Sequence, residues 1–291
     1  MMENRTFGNE TSSNATTDNG IRDPVLGGTL FTINVFIVFL NTLAVLVIMR
    51  FRTKNCIDIL VLGLAMMDLT KGLIPVPMSV CTYLSAWYLK KGSIACEFFG
   101  WIAFTTNSAS MLILTLMAIE RFVAIAKPFA YRSLITKRRM EISVFIAVLF
   151  SAGVSALPVV GLGRMLPYNH GAYCHFDYGE DTAESKIYSI FILIYGFSMI
   201  VVVLAAYSIV FYKIRDLIKR HTRFSISRRA GRDAGKNGKK DKGEIDLKVE
   251  KMFSYLTLGL MLLFWFSWFP FLVSNQYLHI LKLFNTTIFE I

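Results

Sequence analysis

The sequence predicts an all-α membrane protein, a bundle of transmembrane helices, and three observations lead to this prediction. Hydrophobic residues make up 54% of the 291 residues and charged residues only 18%, whereas soluble chains average about 25% charged residues. The apolar residues are concentrated in long blocks, and a helix of about 20 apolar residues crosses a bilayer. The blocks are apolar on all sides, whereas the surface helices of soluble domains keep a polar face.

Six such blocks are predicted to be spans, because a backbone in lipid must bond within its own segment and therefore forms a helix. They are Val25–Met49, Ile57–Tyr83, Cys96–Ala126, Met140–Val160, Lys186–Tyr212 and Phe253–His279. Residues 1–24 are predicted to be a polar tail and residues 25–279 the bundle, with a basic loop at 213–252. Residues 280–291 are an outer loop or the start of a further helix.

The distribution of charge predicts the orientation. Of the net charge of +11, the segment from Lys213 to Lys251 carries 14 basic and 6 acidic residues. The positive-inside rule places this loop in the cytosol and the amino terminus outside, in a multi-pass protein of the plasma membrane. The basic loops are expected to meet anionic membrane lipid, not nucleic acid. Three glycosylation sequons, at Asn4, Asn9 and Asn14, agree with an extracellular tail.

Two of the four cysteines are predicted to lie on the outer side. Cys96 opens the third span there and Cys174 lies in the second outer loop, so a disulfide between them is allowed. Cys56 and Cys81 are expected to pack as small apolar groups.

Glu120 and Arg121 lie at the predicted cytosolic end of the third span, 24 and 25 residues after Cys96. An arginine at this boundary often extends to the lipid headgroups. The adjacent carboxylate and the spacing from the cysteine favour an ion pair that is released when an intracellular partner docks.

Two ionisable residues lie within the second span. Asp68 is near its middle, where a charge costs at least about 2.5–3.5 kcal/mol and indicates a function. Ser110 lies at a similar depth, and the two oxygens are candidates to hold a sodium ion or a proton. Lys71 is three residues from Asp68, which favours an internal salt bridge. The alternative is that Lys71 receives an anionic ligand. No other cofactor and no metal site is predicted.

The sixth span contains Phe264, Trp268 and Pro270. A proline inside a helix removes a backbone hydrogen bond and kinks the helix. A bulky aromatic residue beside a kink can alternate between two packings, so these three residues are predicted to form an activation toggle.

These positions resemble those of the rhodopsin-like receptors coupled to G proteins. The resemblance is carried by Asn41, Leu64-Ala65 before Asp68, the Cys96–Arg121 spacing and Trp268-x-Pro270. It covers six of that family's seven helices, so it implies a rhodopsin-like bundle whose seventh helix is absent or truncated.

A narrower resemblance is to the prostanoid receptors, most of all the E-type receptors and their fourth subtype. It is carried by Glu120-Arg121-Phe122, Ala156 to Gly163, Gly171-Ala172-Tyr173-Cys174, Pro77-x-Ser79-x-x-x-Tyr83 and Glu244-Ile245. It implies that Ser79, Tyr83, Ala172 and Tyr173 contact the ligand. The chain departs from that family at Ala172, which replaces a threonine, and at Tyr173, which replaces a tryptophan. The family's carboxylate-binding arginine belongs to the absent seventh helix, and Lys71 is a candidate to compensate for it.

The resulting prediction is a non-catalytic receptor for a prostaglandin E-like lipid acid, coupled to a heterotrimeric G protein. The resemblance implies a stimulatory G protein and cyclic AMP. Alternatives are a peptide or orphan receptor on the same scaffold and a truncated, non-signalling form. A six-span channel or transporter is disfavoured, because it would show polar stripes along a pore or paired broken helices, and the sequence shows neither pattern. Ala103 stands where an amine receptor needs an acid, and no nucleophile triad or phosphate-binding loop indicates an enzyme.

Overall fold

The computed structural model of this chain describes residues 23–50, 55–85, 88–169, 171–177 and 182–230, together with Gly259, Leu262 and Phe266. Within that part, seven helices and one two-stranded sheet occur. In chain order they are α1 (Pro24–Arg50), α2 (Cys56–Leu73), α3 (Pro75–Ser85), α4 (Ile94–Ala126), α5 (Pro128–Leu134), α6 (Lys137–Ala156), β1 (Met165–Tyr168), β2 (Tyr173–Phe176) and α7 (Ala183–Ala230). The predicted all-α bundle is confirmed, with one short hairpin added.

Five helical segments of the described chain are long and apolar enough to cross a bilayer. They are Pro24–Arg50, Cys56–Ser85, Ile94–Ala126, Lys137–Ala156 and Ala183–Lys213, and they match the first five predicted spans. Large side chains such as Phe36, Phe145 and Phe197 are more than 60% exposed on the outer surface of the bundle. Large exposed apolar surfaces mark contacts with a membrane or with another protein, and the length of these apolar helices matches the thickness of a bilayer. The sixth predicted span lies outside the described residues, apart from three positions within it.

The second span is broken, although the sequence predicted one continuous helix. α2 ends at Leu73, and α3 begins at Pro75 after the single residue Ile74. Pro75 has no backbone N–H and disfavours helical geometry in the residue before it, so the hydrogen-bond ladder is interrupted there. The fourth span is also shorter than predicted, because α6 ends at Ala156, two residues before Pro158. The break between α2 and α3 affects the candidate site, because α3 contacts the hairpin strand β2 and carries Ser79 and Tyr83, two predicted ligand contacts.

Helix α4 is the centre of the bundle and contacts α2, α6, α7 and the hairpin. Hydrogen bonds that cross between helices support this packing. Trp101 Nε1 donates to the Ala152 carbonyl of α6 at 3.0 Å, and the Ser108 and Tyr195 hydroxyls lie 3.0 Å apart between α4 and α7. Such bonds stabilise helix association in a bilayer, where lipid supplies no hydrogen-bond partners.

The two ends of the bundle carry different structures. One end, called the hairpin end, carries β1, β2 and the first turns of α4. The other, called the Arg121 end, carries the last turns of α4, the short helix α5 and the start of α6.

The two cysteines without a disulfide differ in burial. Cys56 packs partly buried against the core, as predicted, but Cys81 is exposed on α3, so the prediction that it is packed is wrong.

Candidate functional site

A cavity of about 530 Å³ lies at the hairpin end. Its walls come from α1, the outer part of α2, α3, α4 and the hairpin. The lining residues are mostly apolar, with a few polar groups: Leu26, Leu30, Lys71, Pro75, Val76, Met78, Ser79, Tyr83, Leu89, Phe99, Ala103, Asn107, Asn169, Ala172, Tyr173, Cys174 and His175. Binding sites for small molecules typically have this size and this mixture of apolar walls and few polar groups.

All five residues that the sequence singled out for ligand contact line this one cavity. Lys71 comes from α2, Ser79 and Tyr83 come from α3, and Ala172 and Tyr173 come from the hairpin. The chain brings them together because the hairpin folds back over the space between α3 and α4. Their roles in binding a ligand stay predictions.

The Cys96–Cys174 disulfide holds the hairpin over the cavity. It joins the first turn of α4 to β2, with 5.4 Å between the two Cα atoms. A side chain at Gly100 would lie 3.1 Å from the Cys174 carbonyl oxygen, so a glycine allows β2 to approach α4 closely. Gly171 has a φ of +84° in the hairpin turn, and its carbonyl accepts from the Leu89 N–H at 2.9 Å. The roof of the cavity is therefore fixed at both sides.

The deep wall of the cavity contains one lysine and one asparagine. The Lys71 ammonium donates to Asn107 Oδ1 at 2.8 Å, which joins α2 to α4. No ion pair links Lys71 to Asp68 among the described residues, so the favoured prediction of an internal salt bridge is wrong.

Asp68 and Ser110 lie deeper than the cavity and do not line it. Asp68 is half-buried and Ser110 is buried, and no hydrogen bond joins them within the described part of the chain. The described residues also contain no cluster of three His, Cys, Asp or Glu side chains. A sodium ion or proton at Asp68 stays a prediction.

The roof of the cavity is aromatic. Tyr173 stacks on Tyr168, its partner across the hairpin, at 5.8 Å between ring centroids. His175 is fully buried beside Phe104 at 5.5 Å, and this burial lowers the pKa of His175 to about 4. The imidazole is therefore neutral at pH 7. Burial, and then the neighbouring Tyr83, raise the pKa of Tyr173, so its hydroxyl keeps its proton and can donate a hydrogen bond.

The Arg121 end carries a second polar cluster. Arg121 Nε donates to Glu120 Oε2 at 2.7 Å, and the Tyr131 hydroxyl donates to Glu120 Oε1 at 2.7 Å. Glu120 is 1% and Arg121 6% exposed. Burial, followed by the bond to Glu120, raises the pKa of Tyr131 well above its usual value. The ion pair lies within α4, and the bond from Tyr131 to Glu120 joins α5 to α4.

Several residues that line the cavity or bond to Glu120 were not predicted from the sequence. Asn107, His175 and the α1 residues Leu26 and Leu30 reach the cavity without belonging to any recognisable pattern. Tyr131 follows Pro128, which is a signal for the first turn of a helix, but no spacing rule predicts that this helix folds back onto Glu120. The predicted toggle, Phe264, Trp268 and Pro270, and the sequons at Asn4, Asn9 and Asn14 lie outside the described residues.

Comparison with known proteins connects these two sites to a family. The prostaglandin D2 receptor of Bos taurus is 27% identical over 209 residues, 70% of this chain and 58% of that receptor. The GQ-coupled rhodopsin of Mizuhopecten yessoensis is 25% identical over 197 residues, 67% of this chain and 38% of that protein. The chain therefore spans between 38% and 58% of the length of these two relatives.

The fold and the family are shown by two further matches. The crystal structure of squid rhodopsin superposes with a TM-score of 0.71 at 19% identity, over 87% of this chain and 73% of that one. A family model described as the 7 transmembrane receptor (rhodopsin family) matches residues 40–289. The chain is thus a multi-pass membrane protein of a receptor family, not of an enzyme family. It belongs to the rhodopsin family of seven-transmembrane receptors.

Proposed function

We propose that this chain is a receptor that binds a small, prostaglandin-like lipid acid in the hairpin-end cavity and activates a heterotrimeric G protein at the Arg121 end. The amino terminus and the hairpin end face outwards in this proposal, in agreement with the basic loops on the opposite side. The plasma membrane is the corresponding location.

The observation that carries the proposal is one lysine side chain in a cavity whose described lining is mostly apolar. Among the described residues that line it, Lys71 and His175 have the two basic side chains, and His175 is neutral at pH 7. An elongated apolar ligand with one carboxylate matches this arrangement, because the carboxylate pairs with the ammonium while the hydrocarbon covers the walls. The similarity to a prostaglandin D2 receptor supports the same ligand class, and the sequence resemblance favours the E series within it.

The proposed mechanism is a shift between two packings of the bundle. In the packing described, Glu120 holds both Arg121 and Tyr131. A ligand that binds more tightly to a second packing, in which this cluster opens, increases the population of that packing. Arg121 then becomes available to the G protein, which the resemblance to E-type receptors suggests is stimulatory.

The proposal is tested by expressing the chain as given and measuring cyclic AMP and competition binding with prostaglandins E2 and D2. Replacing Lys71 with Met keeps the length of the side chain and removes the charge. We expect about a 10- to 100-fold loss of affinity for the acid, the usual value of a hydrogen bond to a charged group. Unchanged affinity would remove Lys71 from the site. No binding of either prostaglandin by protein present at the cell surface would overturn the proposed ligand.

A further inference from the structure

Lys71 and Asn107 face each other across the deep wall of the cavity. An ammonium carries only donors, so the atom of Asn107 that lies 2.8 Å from Lys71 Nζ must be the amide oxygen. This fixes the orientation of the amide group, whose two ends are otherwise difficult to distinguish. Asn107 Nδ2, with its two hydrogens, is consequently turned away from the lysine.

The amide nitrogen of Asn107 has no hydrogen-bond partner in the part of the chain that the structure describes. The residue is half-buried and lines the cavity. Asn107 Nδ2 is not among the fully buried polar atoms without a partner, so it is accessible from the cavity, and an acceptor that enters the cavity can bond to it. Other asparagines of the bundle differ, since Asn34 Nδ2 donates to the Gly72 carbonyl at 2.9 Å and Asn41 Nδ2 to the Ile37 carbonyl at 2.9 Å.

We propose that Lys71 and Asn107 form a two-donor fork that binds the two oxygens of one ligand carboxylate. Lys71 Nζ carries three hydrogens and donates one to Asn107 Oδ1, and in this proposal another of the three is donated to the first oxygen. Asn107 Nδ2 supplies the donor for the second oxygen. The pair thus presents two neighbouring N–H groups and a positive charge, as a guanidinium does in a bidentate contact with a carboxylate.

The fork determines where the acid lies in the cavity. Lys71 and Asn107 belong to the deep wall, whereas Tyr83 and Tyr173 lie near the roof. A ligand held by the fork therefore enters with its carboxylate end first and leaves its other polar groups at the two tyrosine hydroxyls. The fork also selects for an ionised acid over a neutral ester, because bonds to ionised groups are roughly twice as strong as neutral ones. This inference rests on the proposed function.

The test is a double-mutant cycle with Lys71→Met and Asn107→Leu, measured by competition binding of prostaglandin E2 and of its methyl ester. Leucine has the same branched arrangement of side-chain heavy atoms as asparagine but no hydrogen-bonding group. The double variant places two apolar side chains opposite each other, so neither substituted position keeps a polar group. Asn34→Leu is the matched control, because it removes the same amide from a neighbouring helix outside the cavity. Surface expression is measured for each variant.

We expect Asn107→Leu to lower the affinity for the acid about tenfold and the affinity for the ester less than about threefold. In the Lys71→Met background it should still lower the affinity for the acid by at least about threefold, because the amide acts on the ligand itself. If the second substitution has no further effect, Asn107 acts only through Lys71 and the fork is wrong. Equal losses for acid and ester would also overturn it, and Asn34→Leu should not discriminate between the two.

Failure of the fork is distinguishable from failure of the proposed ligand. If the wild-type chain binds neither prostaglandin but binds arachidonic acid with the same pattern of losses, the fork stands and the prostaglandin assignment falls. If the wild-type chain binds prostaglandin E2 with no loss in the Asn107→Leu variant, the ligand stands and the fork falls. A chain at the cell surface that binds none of the three acids overturns both.

Discussion

The hairpin end and the Arg121 end both contain buried polar groups, but these groups face different surroundings. At the hairpin end, Lys71, Asn107 and Tyr173 line a cavity of about 530 Å³. At the Arg121 end, both oxygens of Glu120 are used by protein donors, Arg121 and Tyr131, and the pair is almost completely buried. At the hairpin end Lys71 donates to Asn107, but both residues border the cavity, whereas at the Arg121 end both carboxylate oxygens are bonded within the protein.

This difference separates a process that lowers the free energy, ligand binding at the hairpin end, from one that raises it, the opening of the Glu120 cluster. In the proposed receptor, an acceptor of the ligand bonds to Asn107 Nδ2, which has no hydrogen-bond partner among the described residues. A partner at the Arg121 end must first separate bonds that already exist, and breaking a buried charge pair costs several kcal/mol. A ligand can shift the equilibrium only by its difference in affinity for the two packings. The proposed receptor thus couples formation of contacts at one end to their release at the other.

The largest effect is expected from removing the disulfide, because it holds the roof of the cavity. The double substitution Cys96→Ser and Cys174→Ser removes the link between residues 78 positions apart. In the loop-closure model, losing this link lowers the free energy of unfolding by about 4.5 kcal/mol. We expect a lower thermal denaturation temperature and a loss of prostaglandin binding of more than about 100-fold. The matched control is Cys56→Ser with Cys81→Ser, which keeps the disulfide. Intact binding without the disulfide would show that the hairpin does not depend on it.

The second effect concerns the Arg121 end. Glu120→Gln removes the negative charge while preserving the shape, and it leaves Arg121 buried with a weaker partner. Because the loss of a bond to a charged group is worth about 1.5–3 kcal/mol, we expect cyclic AMP without ligand to rise several-fold. The affinity of an antagonist for the cavity should change little. Unchanged basal signalling at equal surface expression would mean that the pair does not restrain the bundle.

The predictable parts of this structure are those governed by local rules. Spans follow from apolar length, and the broken ladder at Pro75 follows from chemistry that the sequence contains, although a single span was predicted there. The pairing of Cys96 with Cys174 required only that both lie on the same side of the membrane. The Glu120–Arg121 contact joins neighbouring residues, so it too could be expected from the sequence.

The unpredicted parts depend on which faces of distant helices meet. Lys71 bonds to Asn107, 36 residues away, instead of Asp68 at the adjacent turn, and the choice depends on how α2 is rotated against α4. Tyr131 reaches Glu120 only because α5 folds back at Pro128. No periodicity encodes these rotations, since every face of an apolar span looks alike to a hydrophobicity pattern. Ser79 and Tyr83 were predicted as ligand contacts from the resemblance to prostanoid receptors, and in the structure both line the same cavity.

A third effect is a dependence on acidic pH that comes from His175 at the hairpin end. Burial lowers the pKa of His175 to about 4, below the value of about 6.5 expected for an unfolded chain. The unfolded state therefore binds the proton first, and stability falls as the pH drops from about 6.5 to about 4, by up to about 1.4 kcal/mol per pH unit. Thermal denaturation across this range should show the slope, and His175→Gln should reduce it. An equal slope in both proteins would place the titration elsewhere.

The smallest effect is expected from Tyr131→Phe, which removes one hydroxyl from the Arg121 end and leaves the ring in place. The bond to Glu120 at 2.7 Å is of the charge-assisted kind, but Glu120 keeps Arg121, so the loss is about 1 kcal/mol. Basal cyclic AMP should rise by less than in Glu120→Gln. In the Glu120→Gln background the same substitution should add little, because the two act through one carboxylate. Additive effects in this double variant would show that Tyr131 restrains the bundle through a different contact.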